Sequence, residues 1–180
     1  LPYLEMEKRY TFRSALVGPE AVDAAVTSLL KSKARSDLVM SIDFSSYDAS
    51  ISPKHVFEAF NAIASVFQPA ELPQLYRLFR RFVTIPIYTP DGEIVGPHGV
   101  PSGSSFTNTV DSLVQYAASS GKYNCQVQGD DGLYIVPPSD RDLLYDRFKS
   151  YGLSVNEDKS DVFEGHEAVY LQRYYHPDYL

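Results

Sequence analysis

Apolar residues recur every three or four positions in five stretches of the chain, and this spacing is typical of amphipathic helices. The clearest stretch follows Ser52 and Pro53, a capping residue and a proline of the kind that begin helices. Another stretch carries three arginines opposite its apolar residues, which we interpret as a solvated face rather than a nucleic-acid surface. The predicted helices cover residues 19–30, 53–67, 71–82, 106–120 and 139–151.

Short apolar runs between these helices predict strands. Leu38 to Asp43 is typical of a buried strand that ends in a carboxylate. Residues 123–128 and 133–136 flank Gly129-Asp130-Asp131-Gly132, whose Asp-Gly step predicts a tight hairpin. Ser139, with an acidic residue three positions on, predicts a capping box at the last helix. Further strands are predicted at 83–88 with 93–95, at 153–155, at 161–163 and at 169–174.

Composition changes this picture little. The chain has 180 residues, enough for one domain, and a formal net charge of −7. Its 44% hydrophobic and 22% charged residues are typical of globular proteins and exclude disorder, collagen and coiled coil. Cys125 is the only cysteine, which excludes a disulfide framework, and no apolar run approaches the roughly 20 residues that span a bilayer. Because the first residue is Leu1 and not Met, we expect a segment of a longer protein.

Three carboxylates carry the candidate chemistry. If the strand ending at Asp43 lies beside the hairpin, Asp43 meets Asp130 and Asp131. Each pair of like charges roughly 4 Å apart costs about 4 kcal/mol at an effective dielectric of 20, so the cluster needs a cation. Oxygen ligands alone select a hard ion such as Mg²⁺ or Mn²⁺, and a pair of such ions catalyses phosphoryl or nucleotidyl transfer.

A loop rich in glycine, serine and proline precedes the fourth predicted helix. Gly99 to Thr107 combines small hydroxyl residues with glycines that let other backbone approach closely. The helix start that follows offers free N–H groups to an anion or to the sugar and phosphate of a nucleotide. On its own, such a loop is also an ordinary connector.

Five stretches resemble, in order along the chain, motifs A to E of RNA-dependent RNA polymerases. These stretches are Asp43 with Asp48, Ser102-Gly103 with Thr107, Gly129-Asp130-Asp131, residues 156–160 and residues 170–173. The sequence around Ser102 and the final Tyr-Leu-Gln-Arg are most similar to enzymes of double-stranded RNA viruses, picobirnaviruses first and partitiviruses second. The resemblance extends from about Val39 to Tyr175.

The resemblance implies an α/β (α+β) fold, the palm of a right-hand polymerase. In it, an antiparallel sheet carries motifs A and C side by side, with helices packed on one face. Residues 1–37 would connect fingers and palm, residues 38–165 would form the palm, and residues 166–180 would hold motif E and the start of a truncated thumb. The implied activity is template-directed transfer of ribonucleoside monophosphates from NTPs to an RNA 3′-hydroxyl, for viral genome replication and transcription.

The resemblance also implies roles for the acidic residues and one lysine. Asp43 and Asp130 would hold two Mg²⁺ or Mn²⁺ ions, and Asp131 would be a supporting ligand. Lys159 would protonate the pyrophosphate leaving group. Asp48 would accept a hydrogen bond from the ribose hydroxyls, which favours ribonucleotides because a sugar lacking the hydroxyl leaves a buried acceptor unpaired.

The remaining implied roles concern motifs B and E. Ser102, Gly103 and Thr107 would position the sugar and the template. Asp111 stands where many relatives carry Asn, so the partner that orients Asp48 is open, with Asn108 and Ser112 as candidates. In motif E, Gln172 stands where Lys is common, which leaves Arg173 as the motif's cation. Arg173 and Tyr170 are the predicted RNA-binding residues.

The implied partners are an RNA template, a primer or product strand, NTPs and viral capsid proteins, with no membrane. The implied location is the virion interior and the host cytoplasm. The chain is acidic, and Lys8, Arg9 and Arg13 form no clear copy of the basic motif F that neutralises the triphosphate. We therefore expect the isolated segment to be inactive.

Two other functions compete with this one. A reverse transcriptase uses the same metal chemistry, but it usually carries an aromatic residue near the position of Asp48 and no glycine before the paired aspartates. A non-catalytic RNA-binding module could keep the fold without the chemistry. The presence of Asp43, Asp130 and Asp131 argues against that alternative.

Overall fold

The computed structural model describes residues 2–179, and within them the side chains of residues 5–178. Its centre is a four-stranded antiparallel sheet with the strand order β4-β5-β1-β6. The helices are α1 (Pro2–Glu7), α2 (Pro19–Ser32), α3 (Tyr47–Ser50), α4 (Pro53–Ala64), α5 (Leu72–Thr84), α6 (Thr107–Ala118) and α7 (Arg141–Ser150). The strands are β1 (Leu38–Ile42), β2 (Ile87–Thr89), β3 (Gly92–Ile94), β4 (Asn124–Gln128), β5 (Asp131–Val136), β6 (Asp161–Phe163), β7 (Ala168–Tyr170) and β8 (Arg173–Tyr175).

The two faces of the sheet bury different sets of residues, because side chains alternate along each strand. Met40 and Ile42 of β1 face the larger core, which is formed with α4, α5, α6 and α7. Val39 and Leu133 face the opposite way, toward α2 and the β7–β8 hairpin. The expected α/β class, the antiparallel sheet and the helical layer are confirmed. The sequence predicted helices on one face only, whereas α2 and the β7–β8 hairpin also cover the second face of the sheet.

The segment before α2 is bound to the sheet rather than loose on its surface. The amide of Val127 donates to the Phe12 carbonyl at 2.9 Å, and Gln126 Nε2 donates to the Thr11 carbonyl at 2.8 Å. The Phe12 ring stacks on Tyr116 of α6 with 4.0 Å between ring centroids. Residues 11–14 therefore join β4 to α6.

Several predicted boundaries are confirmed. Helix α4 begins at Pro53, and the Ser52 hydroxyl accepts the amide hydrogen of His55 at 3.4 Å as a helix cap. Helix α7 ends before Gly152, whose φ of +76° is the left-handed conformation that glycine adopts readily. The three arginines of α5 are exposed, as the interpretation of a solvated face requires.

Other predictions are wrong at the scale of single elements. Residues 153–155 form no strand but one isolated bridge, Phe44 with Val155, because the chain after β1 turns away into α3. Helix α7 begins at Arg141 without a capping box, since the Ser139 hydroxyl donates to Asp140 at 3.0 Å in a preceding 3-10 turn. The expected strand 169–174 is instead the hairpin β7–β8.

Two large apolar residues on helices α4 and α5 are exposed. Phe57 on α4 and Leu78 on α5 are 42% and 43% exposed, because α4 and α5 pack along only part of their apolar stripes. The Phe57 ring still contacts Phe79 of α5 at 5.3 Å between centroids. In the described part of the chain, no helix combines the length and apolar character needed to cross a bilayer.

Candidate active site

Strand pairing brings the predicted carboxylates together. In the β1–β5 ladder Ile42 lies opposite Gly132, so Asp43, the next residue, continues the register opposite Asp131. Gln128 pairs with Asp131 across the β4–β5 hairpin, which leaves Gly129 and Asp130 as the two-residue turn. The turn is thus shorter than the four residues expected, because Asp131 already belongs to β5. Asp43, Asp130 and Asp131 share one end of the two central strands.

The electrostatics of Asp131 reflect this convergence. Burial together with the negative charges of Asp130 and Asp43 raises the pKa of the Asp131 carboxyl to about 6. Such a rise measures the cost of placing like charges in a partly buried site. A bound cation would reverse it.

The donor set fits a hard divalent cation. Within residues 5–178, no three His, Cys, Asp or Glu side chains lie close enough together to enclose a metal ion. Mg²⁺ does not need such a cage, because it usually binds one or two carboxylates and completes its shell with water and substrate phosphates. Asp43, Asp130 and Asp131 supply only oxygen atoms, and their mutual repulsion is the property that a cation relieves.

The two-residue turn Gly129–Asp130, called the motif C turn below, is hydrogen-bonded to helix α6. Gly129 has a φ of +64°, and its amide donates to Ser112 Oγ at 2.8 Å. In the amide orientation that satisfies its neighbours, Gln115 Nε2 donates to the carbonyl oxygens of Gly129 at 3.1 Å and Asp131 at 3.3 Å. A Cβ on Gly132 would overlap the Gln115 amide and approach a Tyr134 ring carbon to 2.6 Å, so glycine is required there.

The motif D loop is bonded to the backbone of Asp43. The Asn156 amide donates to the Asp43 carbonyl at 2.9 Å, and the Asp43 amide donates to Ser160 Oγ at 3.1 Å. Lys159 lies between these two anchors and is exposed. Its predicted role as an acid requires a mobile ammonium group near the acidic end of the strands, which this placement allows.

Asp48 contacts the motif B loop directly. Asp48 lies in α3 and accepts a hydrogen bond from the Ser102 hydroxyl. The Val100 amide donates to the Asp48 carbonyl at 2.9 Å, and a Cβ on Gly99 would overlap that same carbonyl oxygen. The Thr107 hydroxyl donates to Pro101 at 2.9 Å and so organises the loop internally.

Asp111 lies close to Asp48, whose partner the sequence left open. Burial, the nearby charges of Asp48 and Asp130 and a hydrogen bond with Asp48 raise the pKa of Asp111 to about 8. A carboxyl with this pKa is mostly protonated at neutral pH, so Asp111 has a proton that it can donate to the neighbouring Asp48. A protonated carboxyl offers one O–H donor, whereas an asparagine amide offers two N–H donors, so the acid can replace the amide in a single hydrogen bond.

Asn108 and Ser112, the two candidates for orienting Asp48, bind elsewhere. Asn108 Oδ1 accepts a hydrogen bond from Arg13 at 2.7 Å, and Ser112 Oγ accepts the amide hydrogen of Gly129.

Sequence reasoning missed Arg13 and its partner Glu7, because charged residues in a polar segment usually lie at the surface. It also missed Gln115, which no motif includes.

Of the two predicted RNA-binding residues of motif E, one is bonded to another side chain of the protein and the other is buried. Arg173 Nη1 donates to Asp23 Oδ1 at 2.8 Å, and Tyr170 is 2% exposed. They lie on either side of a turn in which Leu171 and Gln172 both have positive φ, +51° and +59°. Contact of Arg173 or Tyr170 with RNA stays a prediction.

Comparison with known proteins identifies relatives along most of this chain. A family model described as viral RNA-dependent RNA polymerase matches residues 5–179. A potential RNA-dependent RNA polymerase of human picobirnavirus is 32% identical over an alignment of 176 residues. The match covers 92% of this chain and 33% of the relative. The RNA-directed RNA polymerase of Cryptosporidium parvum virus 1 is 34% identical over an alignment of 140 residues. That match covers 68% of this chain and 27% of the relative.

Solved structures agree with the sequence relatives. The crystal structure of the RNA-dependent RNA polymerase of a human picobirnavirus superposes with a TM-score of 0.87 and 29% identity, over 99% of this chain and 36% of that one. Its insertion-loop deletion mutant superposes with a TM-score of 0.86. This chain therefore spans about a third of the length of these relatives. It belongs to the viral RNA-dependent RNA polymerase family.

Proposed function

We propose that the polypeptide carrying this chain is an RNA-dependent RNA polymerase that transfers ribonucleoside monophosphates from NTPs to an RNA 3′-hydroxyl under the direction of an RNA template. The observation that carries the proposal is the register of β1 and β5, which ends with Ile42 opposite Gly132 and so brings Asp43, the next residue, close enough for its charge and that of Asp130 to act on Asp131. Family membership supports the same activity.

Asp43 and Asp130 are the proposed ligands of two Mg²⁺ or Mn²⁺ ions, with Asp131 in a supporting role. Bound there, the ions would lower the pKa of the primer 3′-hydroxyl and stabilise the leaving pyrophosphate. In support of these roles, each carboxylate stands on a strand end or turn that is hydrogen-bonded to a neighbouring element. Lys159 is the proposed proton donor to the pyrophosphate.

Asp48 is the proposed selector of ribose. Its carboxylate accepts a hydrogen bond from Ser102 and lies near Asp111, whose raised pKa of about 8 leaves a proton for a second bond that would fix the carboxylate's direction. A ribose hydroxyl that donates to Asp48 replaces a hydrogen bond to water, whereas a deoxyribose leaves the acceptor unpaired. Ser102, Gly103 and Thr107 form the loop that would hold the sugar and the template base.

The wider assignments follow from the same proposal. Residues 1–37 connect fingers and palm, residues 38–165 form the palm, and residues 166–180 hold motif E and the start of the thumb. The partners are template RNA, a primer or product strand, NTPs and viral capsid proteins. The sites of action are the virion interior and the host cytoplasm, in support of which both named relatives are viral.

Primer extension tests the proposal. The longest natural polypeptide that contains this chain should incorporate ribonucleotides on an RNA template with Mg²⁺ or Mn²⁺, while the 180-residue chain alone should not. Asp130→Asn should lower incorporation at least about 100-fold, because losing a metal ligand costs more than disturbing the residues around it. Asp146→Asn changes an exposed carboxylate of α7 and should leave the rate unchanged. Full activity of the Asp130→Asn variant would refute the proposal.

A further inference from the structure

A fully buried ion pair lies beside the candidate active site, outside the five motifs. Glu7 is the last residue of α1, and Arg13 lies in the segment bound to β4. Both side chains have 0% exposure, and Arg13 Nη1 donates to Glu7 Oε1 at 2.5 Å. Burial of two charges requires that each has partners of fixed geometry.

The remaining contacts of the pair lead to the first turn of α6. Arg13 Nη2 donates to Asn108 Oδ1 at 2.7 Å, and the Thr109 hydroxyl donates to Glu7 Oε2 at 3.0 Å. Both carboxylate oxygens of Glu7 and both terminal nitrogens of Arg13 are thus used. Two consecutive residues of α6 are bound by one ion pair.

The same turn of α6 holds the motif C turn. Ser112 Oγ donates to the Asn108 carbonyl at 2.7 Å and accepts the amide hydrogen of Gly129 at 2.8 Å. The Asn108 side chain also lies against Gly129, since a Cβ at that glycine would stand 3.3 Å from Asn108 Nδ2. Gly129 directly precedes Asp130. A short series of contacts therefore runs from Arg13 through Asn108 to the turn that carries Asp130.

The backbone of Arg13 is held on both sides by the strand that enters this turn. The Phe12 carbonyl accepts the Val127 amide at 2.9 Å, and the Ser14 hydroxyl donates to Gln126 Oε1 at 2.6 Å. Arg13 is thus linked to the turn by two routes, through β4 by its chain neighbours Phe12 and Ser14 and through α6 by its own hydrogen bond to Asn108.

Stability alone does not account for such a pair. A buried ion pair often stabilises a fold no more than well-packed apolar residues of the same volume, because desolvation offsets the Coulombic attraction. A guanidinium differs from an apolar side chain in its rigid, planar set of donors, which fixes direction as well as distance. The geometry therefore points to placement rather than to core stability.

We propose that Arg13, held by Glu7, is a positioning residue that fixes the first turn of α6 against the motif C turn and so sets the place of the Asp130 carboxylate relative to Asp43. The effect of Arg13 on catalysis rests on the proposed polymerase function, whereas its effect on the position of the motif C turn does not depend on that function.

The test removes both charges together. In the longest natural polypeptide containing this chain, Glu7→Leu with Arg13→Met replaces the pair by apolar side chains of similar size and leaves no unpaired buried charge. We expect the melting temperature to be kept, kcat to fall about 10- to 100-fold, and KM for the NTP to change little, because the hydrogen bonds of the pair go to Asn108 and Thr109 in α6 and not to the residues that contact Asp48. Hydrogen–deuterium exchange should accelerate in peptides spanning residues 124–136 and not in β1 or β6.

Two further variants complete the test. Arg13→Lys keeps the charge but cannot donate to Glu7 and Asn108 with the same fixed geometry, so kcat should fall by a smaller factor; this variant decides the matter if the double variant does not fold. Lys122→Met breaks the surface ion pair with Asp140 and should change neither kcat nor exchange near the turn.

The outcomes separate the two proposals. Wild-type kcat with unchanged exchange at residues 124–136 would overturn the positioning role. Exchange that rises throughout the sheet, with a parallel loss of melting temperature, would overturn it as well, since the pair would then act only on stability. If the wild-type polypeptide never polymerises but exchange changes only at the turn, the polymerase proposal fails while the placement of the turn by Arg13 stands.

Discussion

A carboxyl group at position 111 can replace an amide only while it keeps its proton. Asp111 is 4% exposed and lies near Asp48 and Asp130, and these surroundings raise its pKa to about 8. The protonated form donates to Asp48, whereas the ionised form repels it. Motif B is therefore expected to depend on pH in a way that a chain with asparagine at this position does not.

The first prediction concerns the stability of Asp111→Asn against pH. The folded state holds the Asp111 proton up to about pH 8, whereas the unfolded state loses it near pH 4, so this one group lowers the stability of the wild type by about 1.4 kcal/mol per pH unit between these values. Asparagine does not ionise. Asp111→Asn should therefore stabilise the protein increasingly from pH 4 to pH 8 and by a constant amount above, as measured by urea unfolding.

A matched variant gives the control. Asp142→Asn removes an exposed carboxylate at the start of α7 and should shift stability by a nearly constant amount over this range. A pH-independent difference between Asp111→Asn and the wild type would show that Asp111 is ionised at neutral pH in the folded protein.

At the scale of elements, the loop before α6 acts through backbone contact rather than through side chains alone. Gly99 lies against the carbonyl oxygen of Asp48, and the neighbouring Val100 amide donates to that oxygen. The loop and helix α3 are thus joined before the hydrogen bond from Ser102 to the Asp48 carboxylate is considered. Any side chain at position 99 must separate the two elements.

The second prediction follows from that contact. Gly99→Ala should displace the loop from α3, break the Ser102–Asp48 hydrogen bond, and cost about 1 to 3 kcal/mol of stability through overpacking. Discrimination between ribonucleotides and deoxyribonucleotides should fall about 10-fold, the equivalent of about 1.4 kcal/mol, in competitive primer extension. Gly165→Ala places its Cβ near only the flexible Glu167 side chain and should leave both properties unchanged. Unaltered discrimination in Gly99→Ala would mean that the loop is held by other contacts.

Elements differ in how well sequence predicts them, for physical reasons. The strand before Asp43 is predicted because an apolar run indicates it, and the turn at Gly129 is predicted because a glycine indicates it. The turn of the β7–β8 hairpin is missed, because Leu171 and Gln172 adopt positive φ without a glycine or asparagine to signal it. The buried Glu7–Arg13 pair is missed, because burial of charge depends on partners about 100 residues away, such as Asn108.

For the whole molecule, the proposed cation site at the acidic end of β1 and β5 predicts that divalent ions stabilise the fold. The chain carries a net charge of −7, so any added salt weakens general repulsion. A specific site is different, because it binds the folded state alone and adds a free energy of RT ln(1 + [L]/Kd). The two effects can be separated by comparing ions at equal ionic strength.

The last prediction uses that difference. At ten times Kd, Mg²⁺ or Mn²⁺ should stabilise the chain by about 1.4 kcal/mol and raise its melting temperature by roughly 3 to 6 °C. NaCl at the same ionic strength should produce a smaller shift, because it only screens charge. Asp130→Asn should lose the excess shift of the divalent ion, whereas Asp146→Asn, with the same change of net charge at an exposed site, should keep it. Equal shifts for the two variants in a differential scanning measurement would mean that the ions act by screening, and that Asp130 is not a ligand in this chain.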